Sequence, residues 1–275
     1  MIELAPRHKH GLTLASPVMN AAGILGFAHE YRGVVDLGRL GAFVTNPLTY
    51  KPRTPAHPPN AVPLPEALLI HTGLPNPGVR QALRRWDKEW RRLGVPVIVH
   101  LAATSPAETV HSLDMIEKAQ AVAGIELGLR DDVSPFETGQ LVRAALGGPP
   151  LLVRLPLARA PELAGAASQA GADALTIAAP PRAEALFEGH NVTGRVYGPG
   201  CLAEALAAVR AVAALNLGRP IVGAGGIYSV EAAQAMLEAG AVAVQLDAVV
   251  WTRPQVVEEM RGLAADLNRE ASARD

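Results

Sequence analysis

The sequence predicts an α/β fold: one domain that forms a closed (β/α)8 barrel, or TIM barrel. Eight short apolar segments alternate with amphipathic segments along the chain. Most of the short segments are continuously apolar, as buried parallel strands are, rather than alternating. The chain has 275 residues, and single barrels typically have ~250. We therefore expect one barrel over residues 1–275, with its functional mouth at the C-terminal ends of the strands.

The predicted strands share small or branched aliphatic residues, in keeping with an aromatic content of only 4%. They are Pro17–Asn20, Ala42–Thr45, Val97–Leu101, Gly124–Leu127, Leu151–Leu155, Ala174–Ala178, Ile221–Gly223 and Ala243–Leu246. The sequence Ala-Gly-Ala recurs at Ala170–Ala172 and Ala239–Ala241, each time between a helical segment and a strand. This repeat indicates consecutive βα units, which favours a closed barrel over an open sheet.

Capping signals mark the helices between these strands. Ser105 precedes a proline and is followed three residues later by Glu108, which is a capping box, and Ser229 can cap a later helix. From Val79 to Leu93 the apolar residues recur at helical spacing.

The segment Pro47–Pro65 is an exception, because it contains seven prolines. Proline lacks an N–H donor, so this segment is predicted to be neither a helix nor a central strand. We expect a long loop, 47–65, that forms a lid or substrate rim at the mouth.

Composition and charge exclude several classes of function. With 25 basic and 26 acidic residues the net charge is -1, which argues against a nucleic-acid partner. One cysteine, Cys201, excludes an internal disulfide. No apolar stretch approaches the ~18 residues of a membrane span, and Met1–His10 does not resemble a signal peptide. These features predict a cytoplasmic protein without a membrane partner, which binds a small molecule at the barrel mouth.

Polar residues at the strand ends are the candidates for function. The glycines of Gly223–Gly226 follow the seventh strand, where barrels often bind phosphate, although a tight turn would explain them equally well. Arg154 requires an anionic partner, and Glu126, Asp131 or Asp132 could supply it internally. His100 could contact a ligand or fill the barrel top as a hydrogen-bonded core histidine. No metal site is expected, since Asp131 and Asp132 lack a His or Cys companion at ligand spacing.

Motifs along nearly the whole chain resemble the dihydroorotate dehydrogenase family. They are Ser16–Gly23, Gly41–Thr45, Lys51–Arg53, Thr72–Val79, Val97–Val99, Ile125–Leu127, Ala170–Leu175, Gly198–Pro199 and Gly225–Ile227. The resemblance implies an FMN-dependent oxidoreductase of the CH–CH type in pyrimidine biosynthesis, and a homodimer. By the same resemblance, FMN would contact Ala22, Gly23, Asn46, His100, Arg154, Gly198, Gly225, Gly226, Asp247 and Ala248.

Several of these positions depart from the family pattern. Asn46 and Arg154 replace lysines, and His100 replaces an asparagine that contacts the flavin. Asp131 stands in the place of the catalytic cysteine or serine, so Asp131 and Arg154 are the candidate catalytic residues. The four asparagines that hold orotate fall on Ile70, Gly128, Val133 and Ala179. These losses argue against normal dihydroorotate oxidation.

Asp247 replaces a glycine of the turn that binds the FMN phosphate. Its carboxylate would repel the phosphate and could instead accept the N–H groups at the start of the following turn, as a helix cap does. We therefore predict that the Gly225–Gly226 backbone is retained and that FMN binds weakly or not at all.

Three functions remain open, and so does whether the chain is an enzyme. The first is an FMN-dependent oxidoreductase with a substrate other than dihydroorotate. The second is a non-catalytic paralogue, a binding or assembly subunit without flavin. The third is flavin-free chemistry around Asp131, Asp132, His100 and Arg154. Substrate and electron acceptor are not identified by the sequence.

Overall fold

The predicted (β/α)8 barrel is confirmed by the computed structural model, which describes residues 1–31, 33–260 and 262–263. Its strands are β1 (Val18–Asn20), β2 (Phe43–Val44), β3 (Val97–Ala102), β4 (Val122–Gly128), β5 (Leu151–Pro156), β6 (Ala174–Ala179), β7 (Ile221–Ala224) and β8 (Ala243–Leu246). All neighbouring pairs are parallel, in the order β1-β8-β7-β6-β5-β4-β3-β2. A parallel bridge between Met19 and Ala42 joins β1 to β2 and closes the barrel.

The described helices are α1 (Val79–Trp90), α2 (Pro106–Ile116), α3 (Pro135–Ala144), α4 (Ala160–Ala170), α5 (Leu202–Ala214), α6 (Val230–Glu238), α7 (Val249–Thr252) and α8 (Val256–Glu259). Short 3-10 turns lie at His29–Tyr31, Leu37–Arg39, Leu157–Arg159 and Pro199–Cys201. The two predicted caps are confirmed: Ser105 accepts the N–H of Glu108, and Ser229 accepts that of Ala232. Each cap satisfies an N–H of the first helical turn that would otherwise lack a partner.

The lower part of the barrel interior is apolar. Inward-facing side chains form a buried cluster that includes Met19, Ile98, Leu152 and Val222. An N-terminal ribbon, in which Ile2–Glu3 pairs with Thr13–Leu14, adds Leu4, Leu12 and Leu14 to that cluster. The ribbon therefore closes the bottom of the barrel.

Two insertions after the C-terminal ends of β2 and β6 together form a four-stranded antiparallel sheet, here called the mouth sheet. Its strands, in spatial order, are Arg182–Phe187, His190–Tyr197, Ala67–Ile70 and Ala61–Leu64. Arg195 of this sheet contacts Asp131, which follows β4, so the mouth sheet lies at the C-terminal end of the barrel.

The expectation that 47–65 is entirely loop was wrong for its last part, because Ala61–Leu64 is the edge strand of the mouth sheet. Pro63 is compatible with that position, since one side of an edge strand needs no N–H donors.

Candidate functional site at the barrel mouth

Five polar side chains form the upper layer of the barrel interior, directly above the apolar cluster. None is more than 6% exposed; they are His100, Glu126, Arg154, Thr176 and Gln245. The strand register brings them together, because His100 pairs with Glu126, and Thr176 with Arg154. Inward-facing positions alternate along each strand, so His100 stands two residues above Ile98, and Arg154 two above Leu152.

Glu126 is the centre of this layer. Its Oε1 accepts hydrogen bonds from Thr176 Oγ1 at 2.9 Å and from Gln245 Nε2 at 2.6 Å. Its Oε2 lies 2.7 Å from His100 Nδ1 and 3.9 Å from the Arg154 guanidinium. Burial raises the pKa of this carboxyl, but the hydrogen bond from His100 and the charge of Arg154 outweigh it and lower the pKa from 4.5 to about 2. Glu126 is therefore an anion in the folded protein at neutral pH.

The anionic Glu126 fixes the orientation and the tautomer of His100. A carboxylate can only accept, so Nδ1 of the imidazole carries the shared proton, and Nε2 is the ring nitrogen that faces away from Glu126. Nε2 has no hydrogen-bond partner among the residues that the structure describes. It lies over Gly128, where an added Cβ would be only 2.4 Å from it. The ring thus occupies the space that a side chain at position 128 would need.

Arg154 has the internal partners that its burial requires. Its NH1 donates to Gln245 Oε1 at 2.5 Å and lies near Glu126. Of the three predicted partners, Glu126 is therefore the one in contact. Asp131 pairs with Arg182 at 3.0 Å and Arg195 at 2.8 Å.

Asp131 links the β4 loop to the mouth sheet. Because guanidinium groups engage both of its oxygens, this geometry does not support the prediction that Asp131 is the base. Asp132 pairs with Arg130 at 2.9 Å and is exposed.

Asp247, at the end of β8, is 2% exposed. Its Oδ2 accepts the backbone N–H of Gly226 at 3.4 Å, whereas its Oδ1 is buried without a partner. Gly225 and Gly226 have φ angles of 104° and 71°, which favour glycine over other residues. Burial raises the pKa of Asp247 to about 6, and the Gly226 N–H and the charge of Arg154 oppose it only in part. The prediction was that this carboxylate accepts N–H groups of the turn that follows it; the hydrogen bond comes instead from Gly226, after β7, while the N–H groups of Val249 and Ala248 also act to lower the pKa of Asp247.

The other predicted cofactor residues also follow strand ends or border the mouth. Ala22 is half-buried and Gly23 is exposed after β1. Asn46 follows β2, and its side-chain Oδ1 is buried without a hydrogen-bond partner. Gly198 is buried against the backbone of Glu66, and Ala248 is buried at the start of α7. Their roles toward a cofactor remain predictions.

The positions that would hold orotate offer no amide. Val133 is fully buried, Ala179 is 8% exposed, and Ile70 belongs to the mouth sheet. Sequence reasoning missed Thr176, Gln245 and the arginines of the mouth sheet. Gln245 interrupts the otherwise apolar strand β8, and that interruption could have identified it.

Within the described part of the chain, no cluster of three His, Cys, Asp or Glu side chains could bind a metal ion. Nor does any helix there have the length and apolarity needed to cross a membrane.

The family model and the similar proteins indicate the same family. The model of the family described as "Dihydroorotate dehydrogenase" matches residues 7–129. The chain is 31% identical over 286 residues to the dihydroorotate dehydrogenase B (NAD(+)) catalytic subunit of Pelobacter propionicus, covering 96% of this chain and 93% of that protein. It is 31% identical over 280 residues to the subunit of the same name from Desulforudis audaxviator, covering 94% and 90%.

The fold also matches a solved structure, dihydroorotate dehydrogenase from Eimeria tenella in complex with ferulenol. The TM-score is 0.78 at 16% identity, covering 99% of this chain and 88% of that one. At this identity the match supports the barrel fold alone.

Proposed function

This chain belongs to the dihydroorotate dehydrogenase family, and from that premise we propose that it is a flavin-free member, which binds a small ligand at the barrel mouth and does not oxidise dihydroorotate. The family relation indicates that the site lies at the barrel mouth, and the ligand bound there is what we infer for this chain. It corresponds to a non-catalytic paralogue that acts as a binding subunit.

The carboxylate of Asp247 carries the proposal. It accepts a hydrogen bond from the N–H of Gly226, in the loop where a barrel of this type binds a phosphate. Two unit charges about 5 Å apart at an effective dielectric near 20 repel by roughly 3 kcal/mol, and a phosphate dianion roughly doubles that. The residues at this end of the site therefore do not fit FMN.

The substrate side supports the same conclusion. Ile70, Gly128, Val133 and Ala179 replace four amides that would hydrogen-bond orotate. Each such bond contributes about 1 kcal/mol, so their combined loss would weaken the binding of dihydroorotate by roughly three orders of magnitude. His100 moreover fills the space above Gly128.

One observation favours a second function, an FMN-dependent oxidoreductase with a different substrate. Ala22 and Gly23 remain after β1, with Gly23 exposed at a φ of 87° and no atom closer than 3.8 Å to an added Cβ. An open glycine of this kind lets a planar ring approach the backbone.

Flavin content separates the two functions. The purified protein is expected to be colourless, to take up no FMN when refolded in its excess, and to reduce no dye with dihydroorotate. The Pelobacter propionicus relative, prepared in the same way, is the positive control. Stoichiometric FMN in this chain would overturn the proposal and establish the second function as the leading one.

A further inference from the structure

The positive charge of the mouth is already matched within the barrel. Arg154 donates to Gln245 and lies 3.9 Å from the anionic Glu126. An orphaned cation would call for an anionic ligand, but this guanidinium has protein partners. The ligand class must therefore be inferred from the polar groups that remain unmatched.

Those unmatched groups are hydrogen-bond acceptors. The His100 side chain is 8% exposed, and its Nε2 atom has no partner among the described residues. Oδ1 of Asp247 and Oδ1 of Asn46 are sealed from solvent without a partner. A buried polar atom without a partner is unfavourable, so a ligand group that donates to it gains affinity. Asn46 comes after β2, His100 lies in the C-terminal half of β3, and Asp247 comes directly after β8. The C-terminal ends of these strands meet at the mouth.

The charge balance agrees with the hydrogen-bond inventory. Besides His100, the buried ionisable side chains at the mouth are two carboxylates, Glu126 and Asp247, and one guanidinium, Arg154. Arg154 acts electrostatically on Asp247 as well as on Glu126, which places the three charges in one neighbourhood.

Resting on the flavin-free function proposed above, we propose that the barrel mouth binds a small nitrogenous cation with at least two N–H donors, of the amidine, guanidine or protonated-amine class. The N–H groups donate to Asp247 Oδ1, His100 Nε2 and Asn46 Oδ1, or to a subset of them. The site is thus opposite in polarity to one that holds an anionic substrate or a phosphate.

The charged groups around the mouth give this binding a pH dependence. Glu126 faces His100 from β4, and Arg154 from β5 acts on both carboxylates. Three further groups face Asp247 at the end of β8, and burial together with the charge of Asp247 raises the pKa of each, so they are uncharged at neutral pH; they are Tyr197, Cys201 and Tyr228. A cation favours the ionised form of Asp247. Because burial raises the pKa of that carboxyl to about 6, binding should strengthen as the pH rises through about 6 and weaken as protons are added below it.

Three probes of one shape test the ligand class: acetamidine, acetamide and acetate. They are a cation with N–H donors, a neutral N–H donor and an anion that only accepts. Dissociation constants would be measured at neutral pH from shifts of the His100 ring signals in NMR titrations of the full chain. Acetamidine is expected to bind about tenfold more tightly than acetamide, since charge-assisted hydrogen bonds are roughly twice as strong as neutral ones, and acetate is expected not to bind.

Two variants show which carboxylate is responsible. Asp247→Asn keeps the side-chain size but removes the charge, so the preference for acetamidine over acetamide should fall from about tenfold to near unity. Asp114→Asn, at an exposed position on α2, is the matched control and should leave the preference unchanged.

Acetate binding as tightly as acetamidine, a cation preference that survives in Asp247→Asn, or no ring shift with any probe would each overturn the inference. A colourless protein with any of these results would leave the flavin-free function standing, whereas bound FMN would remove both.

Discussion

The lower and upper layers of the barrel interior are built on the same strands but have opposite chemistry. On β3 the inward-facing residues are Ile98 and then His100, and on β5 they are Leu152 and then Arg154. The lower residues pack into a closed apolar cluster, whereas the upper ones form a hydrogen-bonded network around Glu126. A shift of two residues along a strand therefore separates a part of the barrel that stabilises it from a part that can bind a ligand.

The barrel mouth contains two kinds of buried carboxylate. Glu126 has a partner for each oxygen, and its pKa is lowered; at Asp247 burial outweighs the N–H groups of Gly226, Val249 and Ala248, so its pKa is raised, and its Oδ1 has no hydrogen-bond partner. Glu126, whose two oxygens both have partners, is thus a structural anion, whereas Oδ1 of Asp247 remains available to a ligand.

Removing Glu126 should produce the largest effect. Glu126→Ala leaves Arg154 buried without its anion, and breaking a buried ion pair in this way costs about 3–5 kcal/mol of the free energy of unfolding. Urea unfolding at neutral pH would measure it. Leu152→Ala, one layer below, should cost about 2–5 kcal/mol by forming a cavity.

Glu126→Gln is the control for the first of these effects, because it keeps the side-chain shape and should cost less than the alanine variant. A loss below about 1 kcal/mol in Glu126→Ala would show that the network does not stabilise the barrel.

The two carboxylates should give opposite pH dependences. Asp247, whose pKa rises from 3.8 to about 6 on folding, destabilises the folded state as the pH increases through that interval. Two units correspond to about 3 kcal/mol. Asp247→Asn should therefore gain about 3 kcal/mol relative to the unmodified chain between about pH 4 and pH 8, as measured by urea unfolding across this range.

Glu126 provides the internal comparison, since its pKa falls from 4.5 to about 2. Its stabilisation is present above about pH 4.5 and is lost only as the pH falls towards 2. A stability difference between Asp247→Asn and the unmodified chain that does not change with pH would contradict the burial argument.

Replacing Asp247 by glycine should convert the glycine turn to an anion site. Asp247→Gly removes the carboxylate that accepts the Gly226 N–H, and relief of roughly 3 to 6 kcal/mol of repulsion corresponds to a gain in affinity for FMN of about a hundredfold or more. Quenching of flavin fluorescence would measure it. An unchanged affinity in Asp247→Gly would mean that another part of the mouth excludes the cofactor.

The smallest effect is expected at the link to the mouth sheet. Asp131, Arg182 and Arg195 are partly exposed, and exposed ion pairs contribute about 0–1 kcal/mol. Asp131→Ala should change the free energy of unfolding by less than about 1 kcal/mol while making the hairpin Arg182–Tyr197 more susceptible to limited proteolysis. Cleavage at an unchanged rate would show that this link does not hold the sheet against the barrel.

The strands and helix caps could be predicted from the sequence because they depend on local patterns. Continuous apolar runs identified all eight strands, and Ser105 and Ser229 identified two helix starts. The mouth sheet could not be predicted in this way, since it pairs Ala67–Ile70 with His190–Tyr197 across more than a hundred residues of intervening chain.

In the candidate site too, some features could be predicted from local sequence, whereas others depend on contacts between distant parts of the chain. That the Asp247 carboxylate accepts a backbone N–H at the end of β8 could be predicted from its position, but the donor, Gly226 after β7, could not. The partners of Arg154 did not, because Gln245 comes from β8 and Glu126 from β4, and only closure of the barrel brings them together. Asp131 was interpreted as a base from the family position it matches, and its two arginines were not foreseen because they lie in the hairpin that the sequence did not reveal.

The imidazole of His100 above Gly128 also constrains the evolutionary paths open to this chain. With the ring held by Glu126, any side chain at position 128 would begin 2.4 Å from Nε2, well inside contact distance. A larger residue could therefore be accommodated at position 128 only after His100 had been replaced or its ring displaced. The two positions are coupled, and substitutions at them are tolerated in one order, first at position 100 and then at position 128.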